Sequence, residues 1–183
     1  MRRIFLSYHH RDDLEAEVFC RRYEDLFDEI RRLGIPDEDE EQDLADHVDS
    51  EDADYVMRRI REKYIAGTSC TVVLIGKCTW ARRYVDWEIA ATLRNNDNDP
   101  RGGLIAVQLG SAAENGWATL PPRLERNVLR ANGKDVGYAR AYGPPPSDDT
   151  LASWVEEAIE RRDTMEPVQG STSDLRARSS PCD

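Results

Sequence analysis

The sequence predicts an α/β fold in which a doubly wound parallel sheet carries helices on both faces. One observation is the apolar, β-branched run over residues 71–75 that Gly76 closes, because such runs form strands buried on both faces of a parallel sheet. Another is the amphipathic helix directly after it, with Val85, Ile89 and Leu93 four residues apart. Short apolar segments also alternate with amphipathic helices along the whole chain, which is typical of a parallel sheet.

The other elements follow from the same patterns. Apolar segments predict strands over 3–8, 104–109 and 136–142, and the last is expected at a sheet edge. Helical periodicity predicts helices over 14–33, 53–65, about 121–129 and 148–162. No strand is expected between the first two helices. We expect one domain over residues 1–162 and a disordered tail over 163–183, where Ser, Thr, Pro, Asp and Arg dominate and no apolar period survives.

Composition excludes several classes of protein. The chain has 183 residues, of which 39% are hydrophobic, so it can build one real core. No apolar run approaches the roughly 20 residues of a membrane span, and the N-terminus lacks a secretory signal, so a cytoplasmic protein is expected. The 4 cysteines show neither CxxC spacing nor a histidine partner at metal-site spacing. Reduced thiols are therefore expected in place of disulfides, and no metal site is expected.

Most of the negative charge comes from one acidic insert over residues 37–54. The net charge is −11, and the insert contains 11 Asp or Glu and no Lys or Arg. The rest of the chain is balanced, with 25 acidic and 25 basic residues. An acidic chain argues against a nucleic-acid partner, which needs clustered cations. The insert is best interpreted as a solvated loop, with a divalent-ion site or a docking surface as alternatives.

The predicted topology brings three separate stretches to one crevice. Right-handed crossovers place the loops that follow parallel strands along one edge of the sheet, where such folds bind ligands. That edge collects residues 8–13, residues 76–82 and the start of the helix that carries Glu88. On that helix Glu88 lies about 60° from the centre of the apolar stripe. We therefore expect its carboxylate to be half desolvated and to face the crevice.

Two motifs resemble a known family. The opening RIFLSYHHRDD resembles the first strand and turn of TIR domains. The stretch IREKYIAGTSCTVVLIGKCTWARRYVDWEI resembles the TIR-like family of the bacterial Thoeris anti-phage system, in which a similar strand leads into a helix with an aromatic residue and a Glu-Ile pair. The resemblance extends over residues 3–109, and it implies a flavodoxin-like fold of the TIR type.

The resemblance also implies NAD cleavage. In catalytically active TIR domains a helix glutamate four residues after an aromatic residue is essential, and the matching pair here is Tyr84 and Glu88. The Thoeris relatives release nicotinamide from NAD and close the remaining ADP-ribose into a cyclic signal, which activates a separate effector protein. A phage component is the expected trigger. Many TIR domains have a second strand and a long loop after the first helix, where this chain has the acidic insert.

NAD is expected here as a substrate and not as a retained cofactor. The chain has no GxGxxG after its first strand and no GxxxxGK[ST] motif. Loss of nicotinamide gives the ribose oxocarbenium character, which a carboxylate at Glu88 would stabilise. The expected substrate-binding residues are Ser7, Tyr8, His9, Trp80 and Tyr84. The three aromatic side chains among them are candidate walls that exclude water, so that an internal nucleophile closes the ring.

Each site residue has a structural alternative. A lone glutamate at a helix border is usually solvated surface, and aromatic residues often serve only in packing. Ser7 and His9 can belong simply to the turn after the first strand. Two functions therefore stay open: an NAD-cleaving enzyme, or a non-catalytic TIR-type module for docking or for assembly into homo-oligomers. Release of free nicotinamide distinguishes them.

Overall fold

The computed structural model describes residues 2–32, 53–95, 100–113, 116, 118–168 and 175–182. Within these residues the strands are β1 (Arg3–Ser7), β2 (Glu29–Arg32), β3 (Cys70–Ile75), β4 (Gly103–Gln108), β5 (Arg130–Ala131), β6 (Lys134–Asp135) and β7 (Arg140–Tyr142). The helices are α1 (Asp13–Tyr23), α2 (Ala53–Ile60), α3 (Arg83–Thr92), α4 (Gly110–Ala113), α5 (Pro122–Val128) and α6 (Asp148–Thr164). Short 3-10 helices lie at His10–Asp12, Glu24–Leu26 and Thr79–Ala81, and one π-helical turn lies at Arg61–Ile65.

The main sheet has the strand order β2-β1-β3-β4-β7, and every neighbouring pair in it is parallel. This is the flavodoxin-like order, in which the chain reverses its winding direction between β1 and β3. In the register of these two central strands, Ile4 lies opposite Cys70 and Ser7 opposite Val73. The predicted doubly wound sheet is confirmed, and β7 lies at its edge as expected. The short strands β5 and β6 form a separate antiparallel hairpin.

Helices cover both faces of the sheet. Alternate residues of a strand point to opposite faces, so Ile4 and Leu6 of β1 pack with α1 and α6, while Phe5 packs with α2 and α3. On the same side as Phe5, Val73 and Ile75 of β3 pack against α3 and α5. All residues of β3 and β4 are buried. Strands β3 and β4 therefore form the centre of the core.

The prediction of one long first helix was wrong. Helix α1 ends at Tyr23, and the chain then enters β2, which pairs with β1 at the sheet edge. Phe27 between them is extended and buried. Because β2 is an edge strand with two exposed and two half-buried residues, it needs no apolar run. Leu14 and Val18, expected in the core, are 78% and 59% exposed. The buried face of α1 consists of Ala16, Phe19 and Tyr23.

The expectation of four reduced thiols was also wrong. Cys78 and Cys182 form a disulfide, while Cys20 and Cys70 are free. The two bonded cysteines are 104 positions apart in sequence, so no local spacing could indicate the pair. Helix α6 continues to Thr164, and residues 175–182 pack against α3. The division of the chain at residue 163 stays a prediction.

The acidic insert lies outside the described residues except for its last two positions, which begin α2. In the part of the chain that is described, no helix combines the length and the apolar character needed to span a membrane.

Candidate active site

Glu88 lies at the point where the winding of the sheet reverses. Helix α3 starts directly after the turn that follows β3, and it is buried along nearly its whole length. The Glu88 side chain projects toward β1 and is only 4% exposed. Its Oε2 accepts a hydrogen bond of 2.5 Å from the hydroxyl of Ser7, the last residue of β1. The carboxyl group therefore sits at the carboxyl end of the first strand, more deeply buried than the sequence predicts.

Burial changes the charge of this group. Desolvation raises the pKa of Glu88 from its ordinary value of 4.5 to about 8, and the hydrogen bond from Ser7 opposes that rise. At neutral pH the buried carboxyl group is therefore mostly protonated. A cation placed next to it would favour the carboxylate, because an opposite charge at close range stabilises the ionised form.

A buried pair of threonines holds the helix behind Glu88. The Thr92 hydroxyl donates to the Glu88 carbonyl at 2.9 Å, and it also lies 2.7 Å from the Thr71 hydroxyl of β3. All three residues are buried. Because β3 and α3 are joined by this hydrogen-bonded chain, the helix is fixed relative to the strand where Glu88 leaves it.

The loop after β3 packs against the loop after β1 at Gly76. A Cβ at that position would lie 2.1 Å from Asp12 Oδ2, so only glycine permits this approach without a shift of the Asp12 side chain. The Gly76 amide donates to the Thr79 hydroxyl at 2.9 Å, which fixes the start of the turn. Burial raises the pKa of Asp12. The two loops that were predicted to meet do so here.

His9 is a buried histidine with one unused nitrogen. It is 2% exposed, and its Nδ1 accepts from the Arg11 amide at 3.4 Å. Its Nε2 has no hydrogen-bond partner among the described residues. Burial, assisted by the positive charge of Arg82, lowers the pKa of His9 to about 3. With Nδ1 accepting, the proton of the neutral ring lies on Nε2, so this buried atom is a hydrogen-bond donor.

Of the predicted aromatic residues, Tyr84 lies on the same helix as Glu88, whereas Tyr8 lies on the other face of the sheet. Tyr84 lies one helical turn before Glu88, and its ring meets Trp87 edge-on at 5.5 Å between centroids. Trp80 is half-buried in the turn just before α3. Tyr8 packs with Leu6 on the opposite face of the sheet, and its hydroxyl donates to Asp13 at 2.8 Å. The period of two along a strand explains this, because Tyr8 directly follows Ser7.

Sequence reasoning missed a buried ion pair beside the site. The guanidinium of Arg123, at the start of α5, contacts the carboxylate of Asp86 through Nε–Oδ1 at 3.0 Å and Nη2–Oδ2 at 3.3 Å. Both side chains are almost wholly buried. No motif marks either residue, and they are 37 positions apart. Within the described residues no group of three or more His, Cys, Asp or Glu is placed to bind a metal ion.

Removal of the Ser7 hydroxyl tests how it controls Glu88. In Ser7→Ala we expect the pKa of Glu88 to rise above about 8, because the hydrogen bond that favours the carboxylate is lost while burial stays. Carbon-13 NMR of labelled glutamate side chains, followed against pH, measures this value directly. An unchanged or lower pKa in the variant would show that the Ser7–Glu88 contact does not control the carboxyl group.

The flavodoxin-like sheet and the buried glutamate facing the end of its first strand define a domain of the TIR type. Over residues 5–114, more than half of the chain, the sequence matches the family described as Thoeris protein ThsB, TIR-like domain, and the chain belongs to this family of anti-phage defence. The suspected resemblance is thus confirmed. No curated protein and no solved structure is significantly similar to the chain. The matched residues include Ser7 and Glu88, whereas α5, β7 and α6 follow the matched segment.

Proposed function

We propose that the chain is an NAD-cleaving enzyme of anti-phage defence, which releases nicotinamide and converts the ADP-ribose part into a cyclic signal for a separate effector protein. The observation that carries the proposal is the Glu88 carboxyl group, buried at the reversal point of the sheet and hydrogen-bonded to Ser7 at 2.5 Å. Ligands of doubly wound sheets bind at this point. Membership of the Thoeris family supplies the biological setting.

The charge of the substrate suits the electrostatics of this carboxyl group. The nicotinamide ring of NAD is a cation, so its entry favours ionisation of Glu88, whose pKa burial raises to about 8. When the bond between ribose C1′ and the ring nitrogen breaks, its electron pair leaves with the ring. Nicotinamide departs neutral, and the positive charge moves to the ribose. The Glu88 carboxylate then stabilises the ribose cation in a low-dielectric site, where such an interaction is strong.

Ring closure requires that water be excluded. An internal nucleophile of the same ADP-ribose attacks C1′, so that NAD gives nicotinamide, a cyclic ADP-ribose and one proton. Trp80 lies in the turn before α3, and Tyr84 lies in the first turn of that helix. In this proposal both side chains form apolar walls of the substrate site. In this proposal the Nε2–H of His9, which is buried and has no partner among the described residues, binds a phosphate or hydroxyl oxygen of the substrate. Tyr8 has no part in it, because it faces the other side of the sheet.

Release of nicotinamide tests the proposal. Purified protein is incubated with NAD, alone and with lysate of phage-infected cells, and free nicotinamide is measured by chromatography. We expect Glu88→Gln to lower the rate by about 100-fold or more, since a neutral amide cannot balance the ribose charge. Glu160→Gln is the matched control, because Glu160 is an exposed glutamate on α6. If the unmodified chain releases no nicotinamide even with infected-cell lysate, the non-catalytic docking module is the better description.

A further inference from the structure

The segment of residues 175–182, named here the tail strap, lies across the start of α3. The Ser180 amide donates to the Ala81 carbonyl at 2.8 Å, which joins the strap to the turn before the helix. The Ser179 hydroxyl accepts from the Arg83 amide at 3.2 Å, so it occupies one of the free donors at the helix N-terminus. Leu175 packs against the apolar cluster that contains Tyr84. The strap thus covers the first turn of the helix that carries Glu88.

Arg176 joins the tail strap to the region of α3 through three hydrogen bonds. Its guanidinium donates to the Trp80 carbonyl at 2.6 Å, and its amide donates to Asp86 Oδ2 at 3.0 Å. Its carbonyl accepts from the indole of Trp87 at 3.1 Å. These partners come from both the turn before α3 and the helix itself. Arg176 therefore ties the strap to the two structures that border the Glu88 site.

A disulfide fastens the far end of the tail strap. Cys182 is bonded to Cys78, which follows β3 by three residues and lies in the loop between β3 and α3. Cys78 is buried and Cys182 is half-buried, so an attacking thiolate reaches the Cys182 sulfur more easily.

Apart from Leu175 and the disulfide, the strap is held by hydrogen bonds. Those of Ser179 and Ala177 with Arg83 are exposed, and those of Arg176 are part-buried. Each contributes only modestly to stability, because water can replace it when the strap leaves.

We propose that the tail strap is an autoinhibitory element, which the Cys78–Cys182 disulfide holds over the substrate cleft and which reduction of that disulfide releases. The inference rests on the proposed function. The surfaces that NAD would use there, beside Trp80 and Tyr84 and at the N-terminus of α3, are the ones that the strap contacts. A helix N-terminus favours anions such as a pyrophosphate, so the strap and the substrate compete for it.

The release step is a thiol–disulfide exchange with a dithiol reductant. One thiolate of the reductant attacks Cys182 Sγ and forms a mixed disulfide, while Cys78 leaves as a thiolate and takes up a proton. The second thiol of the reductant then displaces Cys182, which also becomes a thiol. Two electrons pass from the reductant to the protein, and the reductant ends as a disulfide. No covalent bond then connects the strap to the loop after β3.

Hydrogen exchange measures strap release without any enzymatic reaction. In the full chain treated with dithiothreitol, and in Cys182→Ser without it, we expect the amides of Arg176 and Ser180 to exchange at least about tenfold faster than in the oxidised protein. Cys20→Ser is the matched control, since Cys20 is a free thiol on α1 outside the strap. Unchanged exchange at these amides after reduction overturns the proposal.

Access to the cleft is measured by NAD binding to Glu88→Gln, by equilibrium dialysis with and without dithiothreitol. We expect reduction to strengthen binding at least about tenfold, because a cleft open in a small fraction of molecules lowers the apparent affinity by that fraction. Equal affinity in the oxidised and reduced proteins, or no binding in either, overturns the proposal that the strap is autoinhibitory. Stronger binding after reduction supports the strap even if the unmodified chain releases no nicotinamide, a result that would contradict the proposed function alone. A parallel tenfold rise in nicotinamide release in the unmodified chain supports both.

Discussion

Glu88→Gln is expected to make the protein markedly more stable at pH 8 than the unmodified chain, and only slightly more stable at pH 5. In the unmodified protein the folded state keeps Glu88 protonated up to a pKa of about 8, whereas the ordinary value is 4.5. Between these two values the folded state binds more protons than the unfolded state, so its stability falls as the pH rises. The neutral glutamine avoids this loss, which is on the order of 3 kcal/mol between pH 5 and pH 8.

Urea unfolding of both proteins at several pH values between 5 and 8 measures the difference. The comparison between the two chains removes the contribution of the acidic insert, which both share. Glu160→Gln again serves as the control, because an exposed glutamate should give no such pH dependence. Parallel loss of stability in the unmodified chain and in Glu88→Gln would show that the folded protein does not hold this carboxyl group protonated. A residue that lowers stability in the folded state while it supports a reaction is typical of active sites.

The sequence predicts the elements of the candidate site because their signals are local. The run over residues 71–75, the glycine after it and the periodic helix identify β3 and α3, and the family resemblance singles out Glu88 on that helix. The crossover rule then brings the end of β1 to the same edge of the sheet, where Ser7 donates a hydrogen bond to Glu88. The apolar pattern of the helix underestimates how deeply Glu88 is buried. An angle from the apolar stripe predicts a half-exposed side chain, but packing of β1 against α3 buries it almost completely.

The errors have equally specific causes. Strand β2 has the sequence EIRR, which lacks an apolar run because an edge strand buries little of its side chains. Its Ile30 also continues the helical spacing of Leu26 and Phe27, so the helix was extended through it. The prediction that Tyr8 binds the substrate rests on its position at the end of β1, but alternation along the strand sends it to the face opposite Ser7. That signal was present in the sequence.

Long-range contacts could not be predicted from one sequence. Cys78 and Cys182 are 104 positions apart, and the Ser- and Pro-rich composition around Cys182 is typical of a disordered tail. Asp86 and Arg123 each lie among other charged residues, and nothing in the pattern distinguishes them from solvated surface groups. Only the fold shows that α5 packs against α3 at this point. These contacts attach the part of the chain beyond the family match to the helix of the site.

The second large effect on stability is expected at the Arg123–Asp86 ion pair, which joins α5 to α3. Arg123→Met should lower the free energy of unfolding by about 3–5 kcal/mol, because it leaves the Asp86 carboxylate buried without its guanidinium partner. Arg123 is 1% exposed, and two of its nitrogens contact the two oxygens of Asp86. The carboxylate would keep the Arg176 amide at 3.0 Å, a single neutral donor that does not balance its charge. Urea unfolding with the disulfide intact measures the loss.

Arg130, which forms an exposed ion pair, provides the control. Arg130 also contacts an aspartate, Asp135, through Nε–Oδ1 at 3.2 Å, but its side chain is 50% exposed. Arg130→Met should therefore cost less than about 1 kcal/mol, as exposed ion pairs do. Addition of Asp86→Asn to Arg123→Met should recover part of the lost stability, because the amide removes the uncompensated buried charge. If the double variant is less stable than Arg123→Met alone, the loss comes from packing of the arginine side chain and not from the stranded carboxylate.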